Sequence, residues 1–221
     1  MIKALIFDFD GLILDTETPE FHSWQNIYRE HGFELPHEKW GTIIGGGGHS
    51  GFDAAEHLSL LSQGRLDSDS LRGRNRLESN SLILTQKPLP GVMDYLRDAK
   101  RLGLKLAIAS SSEHAWVDSR AQRVGVFDYF DDVIARDDVP PGRVKPNPDL
   151  FLLALSRLEV PKDAAIVFED SPNGVKAANR AGIFVVAVPN QATSGLAFEG
   201  ADLLLHSLSD LTLSQLLDKV K

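Results

Sequence analysis

Asp8, Asp10, Ser110, Lys145, Glu169 and Asp170 are the side chains whose types and placing could do chemistry as one group. Apolar runs at residues 4–7, 104–109 and 164–168 end directly on Asp8, Ser110 and Glu169, and Asp10 and Asp170 follow within two residues. Lys145 stands in Val144-Lys145-Pro146-Asn147-Pro148, after a weaker run at 133–135. Such runs suit strands buried on both faces of a parallel sheet. A sheet of that kind binds its ligands beyond the carboxyl ends of the strands. The acids, a hydroxyl and a lone cation are therefore expected on one edge. Three or four carboxylates gathered there would repel one another strongly. A hard divalent cation resolves the repulsion, and an all-oxygen donor set points to Mg²⁺. Mg²⁺ points in turn to a phosphorylated substrate, because it is usually shared between carboxylates and phosphate oxygens. One carboxylate can then attack phosphorus and form an aspartyl-phosphate. Lys145 can neutralise the phosphoryl oxygens, Ser110 can donate to them, and a second carboxylate can protonate the leaving group.

The elements that would position this group follow from period and punctuation. Further apolar runs at 183–188 and, more weakly, 203–205 extend the set of strands. Val92, Tyr95, Leu96, Ala99 and Leu102 recur at helical spacing, with Gly103 as terminator. Asn147-Pro148 reads as the cap and first turn of a helix over 150–158, and Ser171-Pro172 opens one that stops at Gly182. Helix and strand alternate from residue 88 onward. That alternation predicts an α/β fold with a Rossmann-like, doubly wound parallel sheet as its core. Residues 15–85 interrupt the pattern: they read as helical at 21–31, 53–61 and 71–84, with a strand only at Thr42-Ile43-Ile44. They are expected to form an all-helical cap inserted into a core of residues 1–14 and 86–221, hinged at each end.

Composition removes most other classes. The chain has 221 residues with 23 basic and 31 acidic side chains, and 23 − 31 = −8. No cationic excess is available to displace counterions from nucleic acid or an anionic membrane. Hydrophobic residues make up 43% and charged ones 24%, the balance of an ordinary globular chain. Cysteine is absent, which excludes disulfides, thiolate metal sites and cysteine nucleophiles. The run before Asp8 is too short for a signal peptide and no stretch approaches a membrane span, so a cytoplasmic monomer or weak dimer is expected.

Phe7-Asp8-Phe9-Asp10-Gly11-Leu12-Ile13-Leu14-Asp15-Thr16-Glu17 resembles the first signature of the haloacid dehalogenase superfamily in its phosphatase form. Ser110, Lys145 in its Lys-Pro-x-Pro setting, and Glu169-Asp170 followed by Ser-x-x-Gly are similar to its second, third and fourth signatures. The resemblance runs in order along nearly the whole chain. It implies that Asp8 is the nucleophile and a metal ligand, and that Asp10 is the general acid/base with its backbone carbonyl on the metal. It also implies that Ser110 and Lys145 hold the phosphoryl group, that Asp170 ligates Mg²⁺ with Glu169 nearby, and that the cap closes over the substrate. Asp10 itself points to phosphate esters, since an alkoxide needs a proton to leave and a halide does not.

The expected activity is hydrolysis of a small phosphorylated metabolite. The alternatives are a phosphosugar mutase of the β-phosphoglucomutase kind and a non-catalytic phospho-receiver or metabolite-binding module. The mutase resemblance places a His at the position of Glu20 and a cap Arg near His49, and this chain has neither. Glu17, His49 and Ser50 are the candidate substrate contacts. Ser111 is expected either at the phosphate or, with Ser112, capping the helix that begins near Glu113. His114 reads as a solvated helix residue. Arg72, Arg74 and their neighbours read as a solvated face paired with Asp67, Asp69 and Glu78, and Trp24, Trp40 and Phe52 as cap core.

Overall fold

The computed structural model describes residues 1–45 and 51–220. The apolar runs form one parallel sheet of six strands: β1 (Ala4–Phe7), β2 (Lys105–Ala109), β3 (Asp132–Ile134), β4 (Ala165–Glu169), β5 (Phe184–Ala187) and β6 (Leu203–Leu204). Their order is β3-β2-β1-β4-β5-β6, with β1 paired to β2 on one side and β4 on the other. Every residue of β1 and β4 is buried, so neither strand shows a polar alternation. The helices are α1 (Glu17–Glu30), α2 (His37–Gly41), α3 (Ala54–Leu61), α4 (Ser68–Ile83), α5 (Val92–Arg101), α6 (His114–Arg123), α7 (Asp149–Leu158), α8 (Pro172–Ala181) and α9 (Leu213–Lys219). One face of the sheet, with Leu5, Phe7, Ile108 and Phe168, packs against α5, α6 and α9. The other, with Ala4, Ile6, Ala107 and Val167, packs against α7 and α8. The doubly wound α/β core expected from the sequence is what folds. Ser171 caps α8 by accepting from Gly174 N, and Gly182 ends the helix at φ 71°, as the punctuation predicts.

Helices α1 to α4 lie between β1 and α5 and bury a core of their own around Phe21, Trp24, Ile27, Tyr28, Trp40 and Leu58, with Phe52 against it. The two connections to the sheet run side by side: Leu14 bridges to Pro88, and Leu89 N donates to Ile13 O. Arg72 pairs with Asp53, Glu56 and Asp69, and Arg74 with Glu30 and Glu78. Exposed pairs of this kind contribute roughly 0.2–1 kcal/mol each, so the aromatic core carries most of the cap's stability. Asp67 is not one of the partners: its carboxylate caps α4 by accepting from Ser70 N.

Two local expectations are corrected. Thr42-Ile43-Ile44 is a turn, not a strand, because the segment continues α2: Thr42 N donates to Lys39 O and Ile43 N to Trp40 O. Ile44 is apolar there because it joins the cap core. Asn147 does not cap α7, whose first residue is preceded by Pro148. The Asn147 amide instead donates to Gly142 O and Val144 O and closes the loop that presents Lys145.

Candidate active site

β1 continues beyond Phe7, since Asp8 N still donates to Phe168 O. Extended backbone turns alternate side chains the same way, so Asp8 and Asp10 face one side while Phe9, fully buried, anchors the other. The chain then turns sharply at Gly11, φ 81°. A Cβ there would lie 2.1 Å from Asp170 Oδ2, so Gly11 permits both the turn and the approach of the β4 loop. Asp8, Glu169 and Asp170 bring carboxylate oxygens within 4.8 Å of one another, all buried. Lys145, 1% exposed, contacts Asp8 Oδ1 directly and lies 2.6 Å from Glu169 Oε1. Asn190 Nδ2 donates to Asp170 Oδ2 at 2.7 Å and to Gly11 O at 3.0 Å, fixing the carboxylate on the turn.

The electrostatics of this cluster are unbalanced. Burial pushes the Asp8 carboxyl up to about 8, with Glu169 and Asp10 adding to the rise and Lys145 opposing it. Burial, then the Asp8 and Glu169 charges, hold Asp170 well above the usual carboxylate range. Burial opposes the charge on Lys145, but Asp8 and Glu169 overcome it and keep the ammonium firmly protonated. Were Asp8, Glu169 and Asp170 all ionised, Lys145 would leave 3 − 1 = 2 negative charges uncompensated in this buried cluster.

Asp10 sits differently. Its Oδ1 accepts from Thr16 Oγ1 at 2.9 Å and from Trp116 Nε1 at 2.7 Å. Its Oδ2 accepts from Ser112 Oγ at 2.7 Å and from Ser110 Oγ at 3.2 Å. Beside it lies a cavity of about 210 Å³, floored by Asp8, Asp10, Ser110 and Ser111 and roofed by Glu17, Glu20, Trp40, Ile43 and Ile44 from the cap. Desolvation and the nearby Asp10 push Glu20 up to about 7, against Arg76. Desolvation and Glu20 hold Glu17 well above its ordinary value. The roof is pinned to the core: Asn173 Nδ2 donates to Thr42 O and Ile44 O, and Ser111 Oγ to Gly45 O at 2.8 Å.

Comparison with known proteins gives this arrangement a family. Residues 2–182 match the haloacid dehalogenase-like hydrolase model. The chain belongs to the haloacid dehalogenase-like hydrolases. It is 45% identical over 218 residues to YhcW of Bacillus subtilis, a protein named as a proposed phosphatase, covering 99% of this chain and 97% of that one. It is 33% identical over 186 residues to the phosphorylated carbohydrates phosphatase of Thermotoga maritima, covering 82% of each. A crystal structure from Thermotoga maritima, described as a proposed β-phosphoglucomutase, superposes with a TM-score of 0.75 at 29% identity, covering 100% of both chains.

Within this hydrolase fold the strand ends bring together Asp8, Asp10, Ser110, Lys145, Glu169 and Asp170, and Glu17 joins them from the cap. His49 and Ser50 lie outside the described residues. Ser111 and Ser112 do not cap α6: Glu113 is its N-cap residue, and the two hydroxyls turn to Gly45 O and Asp10 instead. His114 is not merely solvated. It bridges Asp138 at 2.7 Å and Asp118 at 3.3 Å, and despite its burial these bonds hold the imidazole above its ordinary value.

The sequence reading also missed three residues of the candidate site: Glu20 and Trp116, which line the cavity, and Asn190, which braces Asp170. Asn190 was within reach of the strand-end rule, since it stands three residues beyond β5. Trp116 offered only one signal, a large N–H donor in the first turn of the helix after Ser110-Ser111-Ser112.

The glycine of Ser-x-x-Gly has a steric reason. A Cβ on Gly174 would fall 1.8 Å from Glu169 Cδ and 2.0 Å from both its oxygens. Glu169 is fully buried and accepts from Ser171 Oγ at 3.1 Å, so it has nowhere to move. Gly174→Ala is expected to cost about 3 kcal/mol or more, read as a lowered denaturant midpoint. An unchanged midpoint would contradict the packing.

Proposed function

We propose that this chain is a Mg²⁺-dependent phosphatase that hydrolyses phosphate monoesters of small hydroxylated metabolites through an aspartyl-phosphate on Asp8. One observation carries the reading. A buried carboxylate with a lysine and two further acids on one side faces a second carboxylate, Asp10, held by hydroxyl and indole donors on the other.

The donor set suits the metal. Three converging carboxylates with two uncompensated charges match a divalent ion that prefers oxygen. Asp8, Asp170 and the Asp10 backbone carbonyl would hold it, with Glu169 alongside. Mg²⁺ supplies stabilisation of the negative charge on the phosphoryl oxygens. The remaining work falls to side chains. Lys145 opposes the protonation of Asp8 and orients it, and Lys145 with Ser110 and Ser111 binds the phosphoryl oxygens. Asp8 forms a bond to phosphorus as the ester P–O bond breaks, and Asp10 gives its proton to the departing alkoxide. Asp10, now a carboxylate, takes a proton from water as that water attacks phosphorus. The Asp8–phosphorus bond then breaks and orthophosphate leaves. The cap roof excludes bulk water during the first transfer. Residues 15–85 act as the cap and residues 1–14 and 86–221 as the catalytic core.

Shape and charge narrow the substrate. The cavity is smaller than the ~300–1,000 Å³ of drug-sized sites. Glu17 and Glu20 offer carboxyl groups for hydrogen bonds with hydroxyls, and among the described residues no Lys or Arg lines the cavity to pair with a second anionic group. Trp40 Nε1 is buried without a partner among the described residues and can donate to a substrate oxygen. Glu20 stands where the mutase resemblance calls for a His, which favours hydrolysis over transfer to a second hydroxyl. The test is phosphate release across a panel of neutral sugar and polyol monophosphates, sugar bisphosphates and phosphoglycerates. At least one neutral monophosphate should turn over about tenfold better than any ester with a second anionic group. No release from any ester would overturn the reading.

A further inference from the structure

Asp10 accepts hydrogen bonds from four side chains, and they are not equivalent. The hydroxyls of Thr16, Ser110 and Ser112 can each turn to donate or to accept. The Trp116 indole N–H can only donate, and it lies 2.7 Å from Oδ1. It cannot turn away either. The Arg120 guanidinium carbon sits 3.1 Å from the centroid of the Trp116 ring, and Arg120 is held in turn by the Trp116 carbonyl and by Asn80 on α4. A cation on the ring face clamps the indole and keeps its N–H on Asp10.

We propose that Trp116 is a positioning residue for proton transfer: by holding Oδ1 it fixes the orientation of the Asp10 carboxyl group that lines the cavity. This rests on Asp10 being the acid/base of the phosphatase described above. The three hydroxyls follow the carboxyl wherever it turns, because each can rotate to donate or to accept, whereas the clamped indole N–H keeps one direction. In the first step the O–H bond of the Asp10 carboxyl breaks and the proton passes to the ester oxygen as its bond to phosphorus breaks. In the second, water transfers a proton to the Asp10 carboxylate as its oxygen bonds to phosphorus and the Asp8–phosphorus bond breaks. Without the indole donor the carboxyl loses the orientation that a transfer to the substrate needs.

Trp116→Phe and Trp116→Met both remove the donor while keeping an apolar side chain. The measurement is kcat/KM for a sugar phosphate, whose alkoxide needs a proton, and for p-nitrophenyl phosphate, whose phenolate does not. Both are read in one preparation, so the folded fraction cancels in their ratio. The sugar phosphate should lose roughly 10- to 100-fold and the aryl ester less than about threefold. Equal losses on the two esters would mean a structural role only, and an unchanged sugar-phosphate rate would mean no role; either overturns the proposal. Asp10→Asn, run alongside, should split the two esters in the same direction by about 10²- to 10⁴-fold. A split in Asp10→Asn without one in either Trp116 variant overturns the Trp116 inference alone. No split in Asp10→Asn removes the acid/base assignment of Asp10, and the inference with it.

Discussion

Asp8→Asn is expected to abolish phosphate release, by roughly 10⁴-fold or more, while the chain stays folded. The amide keeps the volume of a side chain that is 4% exposed, yet its oxygen is too weak a nucleophile to bond to phosphorus. Lys145 still has the amide oxygen and Glu169 to pair with, so the ammonium is not stranded. The effect on stability has a definite sign. In the metal-free protein the Asp8 carboxyl rises from its ordinary 3.8 to about 8, chiefly by burial. A group raised in the folded state contributes stability that is complete below the unfolded value and is lost as pH climbs to the folded one. The wild type therefore loses stability through Asp8 between about pH 4 and pH 8, and the Asn variant does not. Denaturant midpoints without metal should diverge in favour of the variant as pH rises, and converge below pH 4. Single-turnover phosphate release checks the first claim. Turnover within tenfold of the wild type would remove Asp8 from the nucleophile's role.

How much of this could be read from the chain depends on the kind of force that places each residue. β1 and β4 were legible because strands buried on both faces must be apolar throughout, and whatever follows them must lie at the sheet's edge. Asp8, Ser110, Glu169 and Asp170 were found by that rule, and the same rule reaches Asn190 when it is applied beyond β5. Lys145 was legible by type, as a lone cation in a Pro-bounded loop, although the Asn147 amide that braces the loop looked like a helix cap. Trp116 was not legible. Its role comes from a contact 106 positions away along the chain, on Asp10 Oδ1, and no local period encodes such a contact. Thr42-Ile43-Ile44 misled for a related reason. Three β-branched residues signal a strand only where a free sheet edge is beside them, and here Ile43 and Ile44 meet the aromatic core of the cap. Ser111 and Ser112 stand where helix caps stand, but a carboxylate and a cap carbonyl compete for their hydroxyls and win.

Excess chelator should stop turnover completely, and Mg²⁺ should restore it. Asp8, Glu169 and Asp170 crowd their oxygens within 4.8 Å, and Lys145 offsets only one of the three charges. Without a further cation the cheaper response is protonation, the direction in which Asp8 and Asp170 are both pushed. A protonated Asp8 cannot attack phosphorus, so a chelated enzyme is left with a misprotonated nucleophile as well as an unscreened phosphoryl group. The same charge deficit predicts a response that does not depend on activity. An ion that binds the folded chain and not the unfolded one stabilises it by about 2.7 kcal/mol at a concentration of 100 Kd. Thermal midpoints should accordingly rise with Mg²⁺ in the wild type. In Asp170→Asn the rise should need at least about tenfold more Mg²⁺, because the amide supplies no charge and Asn190 already donates to its position. Trp116→Phe should keep the wild-type response, since the indole meets only the side-chain Oδ1 of Asp10, whereas the metal would be held by Asp8, Asp170 and the Asp10 backbone carbonyl. Full turnover in excess chelator, together with a thermal midpoint indifferent to Mg²⁺, would mean that the buried acids balance their charge by protonation alone, and the metal would have no place in the mechanism.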